Sequence, residues 1–351
     1  DTEMLFTLLG RAIAFDVVAT DADGDVLAFA AGAPANGTIT QGTGGAFVYT
    51  PDTGFLGTDT VTVIVSDADG ATDTYTATIN VVTPDTPDDW RLLTTNGWIG
   101  EIGGSGAVFG TNGFQDITVL DIAGHIAFDP SFNGGGDVIR LAGSAADWHI
   151  ARESSNAILF DGDTLVTIPV GIVGAAIVFD DGARELLFSV QNNSMTFGDQ
   201  AFGEALARID TAPDIGAIDD SDADTAATST LLLQEGVDVT AGGRIDVFGT
   251  GTDAEVVTLT YGAITFDPSF NEGGDTVVLD GDADSFTASR FGSSLLLEGS
   301  GYDLVIPIGL DGLEIAFADD TRTLIYNPEN DAVLLGTQTI GLEMIPVSEF
   351  A

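Results

Sequence analysis

The chain has no cysteine, no lysine and only two histidines in 351 residues. The first absence excludes a disulfide framework and a thiolate metal centre. If the protein works outside a cell, something else has to rigidify its loops, and calcium is the expected agent. With lysine missing, the basic set is nine arginines against 55 Asp or Glu, a formal charge of -46. Such a surface repels phosphate backbones and anionic headgroups, which excludes electrostatic tracking of nucleic acid or of an acidic membrane. No run of about 18 apolar residues is available to span a bilayer. The chain opens on Asp1 without a basic and then apolar leader, so any export address is expected elsewhere or already removed. Helical spacing of apolar residues is sustained nowhere.

What is present is a folded, acidic, turn-rich chain. Only 18% of residues are charged and 44% are hydrophobic, which is unlike a disordered acidic tail and enough to build two or three cores. Of the 55 carboxylates 42 are Asp, and there are 45 Gly. That bias favours turns and oxygen-rich cation sites over helix faces.

From Ala12 to Val82 short alternating apolar runs are broken by Asp-Gly, Asn-Gly or Pro-Asp every 8 to 12 residues or so, the rhythm of a small antiparallel sandwich. Five ordered motifs stand here: Asp21-Ala-Asp-Gly-Asp25, Pro34-Ala-Asn-Gly-Thr38, Phe47-Val-Tyr-Thr-Pro51, Gly54-Phe-Leu-Gly-Thr-Asp59 and Val65-Ser-Asp-Ala-Asp-Gly70. By these motifs residues 1–82 resemble the cadherin-like, Ig-like tandem modules of giant bacterial surface proteins. The resemblance implies a stalk or adhesin context, with this chain beginning inside or at the end of such a string.

Residues 83–90 form a Pro/Asp linker, extended by Pro84 and Pro87. Its Asp85, Asp88 and Asp89 are expected either to gather calcium and straighten the junction or to serve as a solvated spacer. Beyond it the sequence repeats. Phe128-Asp-Pro-Ser-Phe-Asn133 returns as Phe266-Asp-Pro-Ser-Phe-Asn271, an offset of 138 (266 − 128), and Val108-Phe-Gly-Thr111 returns as Val247-Phe-Gly-Thr250. Two copies of one module are expected over 91–202 and 230–342, with an acidic linker at 203–229 and a tail at 343–351. The period within each copy is 2. Ile126 and Phe128 recur as Ile264 and Phe266 while His125 and Ala127 change, so the recurring set should face inward. Each copy is expected to hold about ten short strands.

The stretches Asn133-Gly-Gly-Gly-Asp137 to Leu141 and Asn271-Glu-Gly-Gly-Asp275 to Leu279 give the copies a further likeness. They resemble β-rich modules that accompany hemolysin-type (RTX) calcium-binding repeats in type I secreted proteins, and the terminal Ser-Glu-Phe-Ala351 is similar to the tail of such secretion signals. A calcium roll needs several consecutive Gly-rich nonapeptides and each copy has one imperfect match. The expected fold is therefore all-β, as tandem β-sandwich modules, with a solenoid-like β-roll as the alternative for the duplicated pair.

Asp21, Asp23 and Asp25, and then Asp67, Asp69 and Asp73, offer two oxygen clusters suited to Ca²⁺; plain Asp-Gly hairpin turns explain them equally. The duplicated sets Asp129, Asn133 and Asp137, and Asp267, Asn271 and Asp275, are further candidate ligands, or else turn caps that hold a loop's shape. Arg152 and Arg290, with Arg184 and Arg322, recur between copies and should each clamp a local carboxylate; a sugar- or anion-binding role is the alternative. His125 and His149 become Ala263 and Thr287, and no second histidine sits at metal-ligand spacing, so they read as lone surface histidines, against a zinc site or a His-based triad. Trp90, Trp98 and Trp148 read as core volume rather than a carbohydrate platform, since Trp148 becomes Phe286. The expected function is that of a non-enzymatic, calcium-stabilised structural or adhesive segment, secreted or at the cell surface: a surface layer, filament, stalk or adhesin. Its partners would be copies of itself, neighbouring subunits or surface glycans. A glycan-binding accessory module of a secreted hydrolase is the alternative.

Overall fold

The computed structural model describes residues 1–134, 136–251, 254–271 and 274–348, apart from the side chain of Asn133. The tail likeness at 349–351 and parts of the two glycine-rich loops therefore lie outside the described residues. The chain is all-β, with short 3-10 turns as its helical content.

The first module has seven strands: β1 (Thr2–Leu8), β2 (Ile13–Asp16), β3 (Ala28–Ala31), β4 (Gly37–Gln41), β5 (Ala46–Pro51), β6 (Gly57–Ser66) and β7 (Thr72–Val82). They form two sheets ordered β1-β7-β6-β3 and β2-β5-β4. Alternation along β6 buries Val61, Val63 and Val65 against Phe15, Phe47 and Tyr49 of the other sheet. Asp59 is buried too, because it is the joint between three of the sequence motifs. Its carboxylate accepts the amides of Ala35, Asn36 and Thr60 and the hydroxyl of Tyr49 (3.0 Å). Burial works against its charge, but these donors hold its pKa below the usual carboxylate value.

The next module contains β8 (Trp90–Leu93), β9 (Ile99–Gly103), β10 (Gly106–Phe109), β11 (Asp116–Val119), β12 (Gly124–Phe128), β13 (Val138–Arg140), the hairpin β14 (His149–Glu153) and β15 (Asn156–Phe160), then β16 (Thr164–Pro169), β17 (Ala175–Phe179), β18 (Gly182–Ser189), β19 (Ser194–Phe197), β20 (Gln200–Ala201) and β21 (Ala207–Arg208). Pairing is parallel for β8-β10-β12-β16 and for β9-β11-β13-β17. Successive strands thus go to alternate sheets, so the chain winds as a coil around a two-layered core. The layers are those of a sandwich and the winding is that of the solenoid-like alternative. Antiparallel hairpins then finish both sheets.

The third module repeats this with β22 (Ser229–Leu233), β23 (Asp238–Phe248), β24 (Val256–Phe266), β25 (Thr276–Val278), β26 (Phe286–Phe291), β27 (Ser294–Gly299), β28 (Tyr302–Pro307), β29 (Leu313–Ala316), β30 (Thr321–Asn327), β31 (Ala332–Leu335), β32 (Gln338–Ile340) and β33 (Ile345–Pro346). Here β23 and β24 each cross from one sheet to the other without a break, at Gly243 and Gly262. Ile126, Phe128, Ile264 and Phe266 all face the core, as the period-2 reading requires.

The copies meet edge to edge. β8 pairs antiparallel with β22 and β9 with β23, placing Leu92 opposite Leu231 and Ile102 opposite Ala241. In both pairs a residue faces its own duplicate, 139 positions on (231 − 92 and 241 − 102). The contact is an internal pseudo-two-fold that closes both open edges and fuses the two cores into one cluster. The acidic segment that leads from β21 to β22 lies along the first copy. Arg184 donates to the Thr211 carbonyl, Glu185 N–H to the Asp214 carboxylate, and Asp224 N–H to the Gly97 carbonyl.

Candidate functional site

Two surfaces and four carboxylate groups are candidates, and their local chemistry separates them. In the first module Asp21 accepts the amides of Asp23 (2.8 Å) and Asp25 (3.0 Å), and these bonds hold its pKa below the usual value. Asp67 accepts Ala71 N–H and Asp73 accepts Thr74 N–H. Asp23, Asp25 and Asp69 are exposed. The fold brings Asp21, Asp67 and Asp73 together with Asp1 around one groove of about 400 Å³ at the end of the sandwich. Among the described residues no three acidic or imidazole groups are placed to hold a metal ion.

The duplicated sets have a different geometry. Asp129 and Asp267 each accept the amide two residues on, at Ser131 (2.9 Å) and Ser269 (3.0 Å), and so cap the short turn that follows. Asn271 is buried and donates to the Pro307 carbonyl; the side chain of Asn133 lies outside the described residues. Asp137 and Asp275 are buried and reach across to neighbouring strands, accepting Gln115 N–H and Glu255 N–H at 2.9 Å each. Gln115 and Glu255 in turn bond Thr111 and Thr250, the threonines that end the two Val-Phe-Gly-Thr motifs. Each loop is thereby tied to the strand before it.

Burial pushes the Asp137 carboxyl up to about 7 from an ordinary 3.8, although the Gln115 amide favours its charged form. Between these values the folded chain keeps a proton that the unfolded chain has lost. Stability therefore falls as pH rises through that window, with the full cost present above pH 7. Asp137→Asn keeps the bond from Gln115 and removes the titration. Its benefit over the parent should be about 4 kcal/mol larger at pH 8 than near pH 3.5, the free energy of a shift of about three units. Urea unfolding at the two pH values measures this; an equal effect at both would show that Asp137 is not forced to ionise in the core.

The arginines divide into two kinds. Arg184 grips Asp181 through both guanidinium arms (3.0 and 2.7 Å), and Arg322 bonds Asp320 (2.9 Å); both are buried and lie over the rings of Phe179 and Phe317. Arg184 also donates to Thr211 and Arg322 to Ser348, so each ties its sheet to the chain beyond the last strand of the copy. Arg152 and Arg290 instead bond carbonyls two residues on, Ser154 and Gly292, where a carboxylate partner had been expected. The turn that follows presents a carbonyl within reach and no acid.

The histidines are not idle surface groups. His125 Nδ1–H donates to the Asp85 carbonyl (2.9 Å) and Nε2 accepts the Thr167 hydroxyl (2.9 Å), pinning the Pro/Asp linker to the first copy. The Asp89 carbonyl accepts Gln234 N–H from the second copy (2.8 Å). His149 lines a cleft of about 510 Å³ between the first module and the first copy, together with Phe15, Gln41 and Arg208. Burial, then the Arg208 charge, pushes its pKa down to about 4. Trp90, Trp98 and Trp148 are all buried and offer no stacking platform.

The surface that sequence reasoning missed is the outer face of β14-β15-β16. Ala151, Ile158, Phe160, Leu165 and Leu206 belong to the first module's core, so β15 is buried on both faces. Arg11 donates to Glu153 (2.7 Å) and to the carbonyls of Glu204 and Arg152. Leu206 exchanges backbone hydrogen bonds with Ala12 and Ala14. A signal was available in the copy-to-copy comparison: Phe160 and Leu165 stand where the second copy has Glu298 and Asp303, both exposed.

No curated protein matches the chain. Residues 4–80 match the family model of the bacterial Ig domain, so the N-terminal seven-stranded module is similar to that family in sequence as well as in its two-sheet arrangement.

Proposed function

We propose that this chain is a stiff segment of an extracellular structural or adhesive protein, of the surface-layer, filament, stalk or adhesin kind, and that it has no catalytic role. The supporting observation is that its three modules are fused instead of strung on free linkers. The Ig-like module shares a core with the first copy, the linker is pinned through His125 and Gln234, and both sheets run on across the two copies. Such a body transmits force and keeps spacing, which is what a stalk or lattice subunit requires. A bacterial Ig-like module at one end agrees with a surface location. No helix among the described residues is long and apolar enough to cross a membrane.

Calcium completes the reading. Asp21, Asp67 and Asp73 line one groove in a chain of charge -46; since no three acids among the described residues converge there, a cation would take fewer carboxylates together with carbonyl and water oxygens, relieving repulsion while bridging two loops. A ligand that binds only the folded state adds about 2.7 kcal/mol at a hundredfold excess over Kd. Millimolar calcium should therefore raise the melting temperature more than sodium at equal ionic strength. Identical shifts in the two salts would mean that screening suffices, and the calcium part of the proposal would fall.

A further inference from the structure

The end of the second copy corresponds, residue by residue, to the surface that the Ig-like module covers on the first, but its polarity is inverted. Glu153 and Glu204, which surround Arg11, are replaced by Phe291 and Leu342, and Leu206 by Met344. These three are 71%, 83% and 41% exposed. Exposed apolar side chains occur elsewhere on the chain, but here three stand at one sheet end where the first copy has two acids and a covered leucine, which marks a contact face.

The backbone points the same way. Ala288 pairs with Ile345, which turns the N–H and C=O of Met344 away from β26. Their counterparts at Leu206 bind Ala12 and Ala14 of the Ig-like module. Beside the patch lies a hollow of about 230 Å³ lined by Arg290, Ile308, Leu310 and Tyr326. Its lining sets Ile308 and Leu310 beside the Arg290 guanidinium and the Tyr326 ring, a mixture that suits an aromatic protrusion, and the residue next to Arg290 is one: Phe291. A surface that carries both a protruding ring and a recess is self-complementary about a two-fold axis. The two copies within the chain already join through a pseudo-two-fold edge contact. An Ig-like module with the Arg11 pattern fits less well, because Phe291 stands where Glu153 supplied the carboxylate that holds Arg11, while Glu298 and Asp303 stand where Phe160 and Leu165 were.

We infer that this end binds a second copy of the chain, tail to tail, with Phe291 of each protomer in the hollow of the other and Met344 at the paired edge. The inference deepens the structural reading by naming its partner. It fails separately from that reading, because the modules remain fused within one chain whether or not two chains pair.

The test is the solution mass of the full chain, read by sedimentation equilibrium at about 100 μM in about 0.5 M NaCl, where screening shortens charge repulsion to a few ångströms. The parent chain should run at twice 36.1 kDa and dissociate at low salt. Phe291→Glu with Leu342→Glu installs what the first copy carries at these positions, so folding is retained, and the mass should fall to that of one chain. Val18→Glu with Val26→Glu adds the same charge at exposed sites on the Ig-like module and should leave the dimer intact. A monomeric parent, a dimeric Phe291/Leu342 variant, a monomeric control or a parent mass beyond two chains would each overturn the inference.

Discussion

Gly262→Ala should cost about 4 kcal/mol or prevent folding, for a reason that lies in the backbone and not in side-chain packing. At Gly262 β24 leaves one sheet and joins the other with φ +121°, and an added Cβ would stand 1.8 Å from the Gly243 carbonyl oxygen. A backbone oxygen cannot swing aside as a side chain can. The strained dihedral adds about 1–3 kcal/mol and the forced displacement a similar amount. Gly236→Ala is the matched control: its φ is +69° and nothing lies within 4 Å, so only the left-handed conformation is charged, about 1–2 kcal/mol. Denaturant unfolding of the two variants separates the terms. If they lose the same stability, close approach at the corner is not what holds β23 against β24.

The second large effect is expected where the Ig-like module docks. Phe160→Glu with Leu165→Asp gives the first copy the residues that its duplicate carries at 298 and 303, where both are tolerated in water. In the first copy the same side chains would be sealed inside the shared core. An uncompensated buried charge costs about 3–5 kcal/mol, and undocking is the route that relieves it. We expect the Ig-like module to separate and swing on the Pro/Asp linker, seen as a broader distance distribution in small-angle scattering and as two thermal transitions. One narrow distribution and one transition in the variant would show that the linker contacts at His125 and Gln234 suffice to hold the modules together.

The residues most legible in the sequence are those whose role is set by local pattern. Alternation placed Ile126, Phe128, Ile264 and Phe266 in the core, because a strand's side chains have a period of 2 whatever sheet receives them. The clamps of Arg184 and Arg322 on Asp181 and Asp320 were legible for a similar reason, since cation and acid are two or three residues apart. Arg152 and Arg290 were not, because a carbonyl partner leaves no trace in side-chain identity. The histidines were misjudged because the Asp85 carbonyl and the cleft around His149 come from other parts of the chain.

Taken by itself, the sequence determined the all-β class, the Ig-like character of the N-terminal module, the duplication and the inward faces of the recurring strands, all of which follow from short-range periodicity or from direct repetition. Tertiary structure alone decided how the strands of each copy are wound, how the copies join and what covers the first one. Parallel and antiparallel neighbours impose the same alternation on a strand, so Val108 reads the same whether its neighbours run up or down. Edge pairing between Leu92 and Leu231 uses backbone groups that every residue carries. The docking face and the exposed end of the second copy are built on one template, and only the third dimension shows that Phe160 is inside while Phe291 is out.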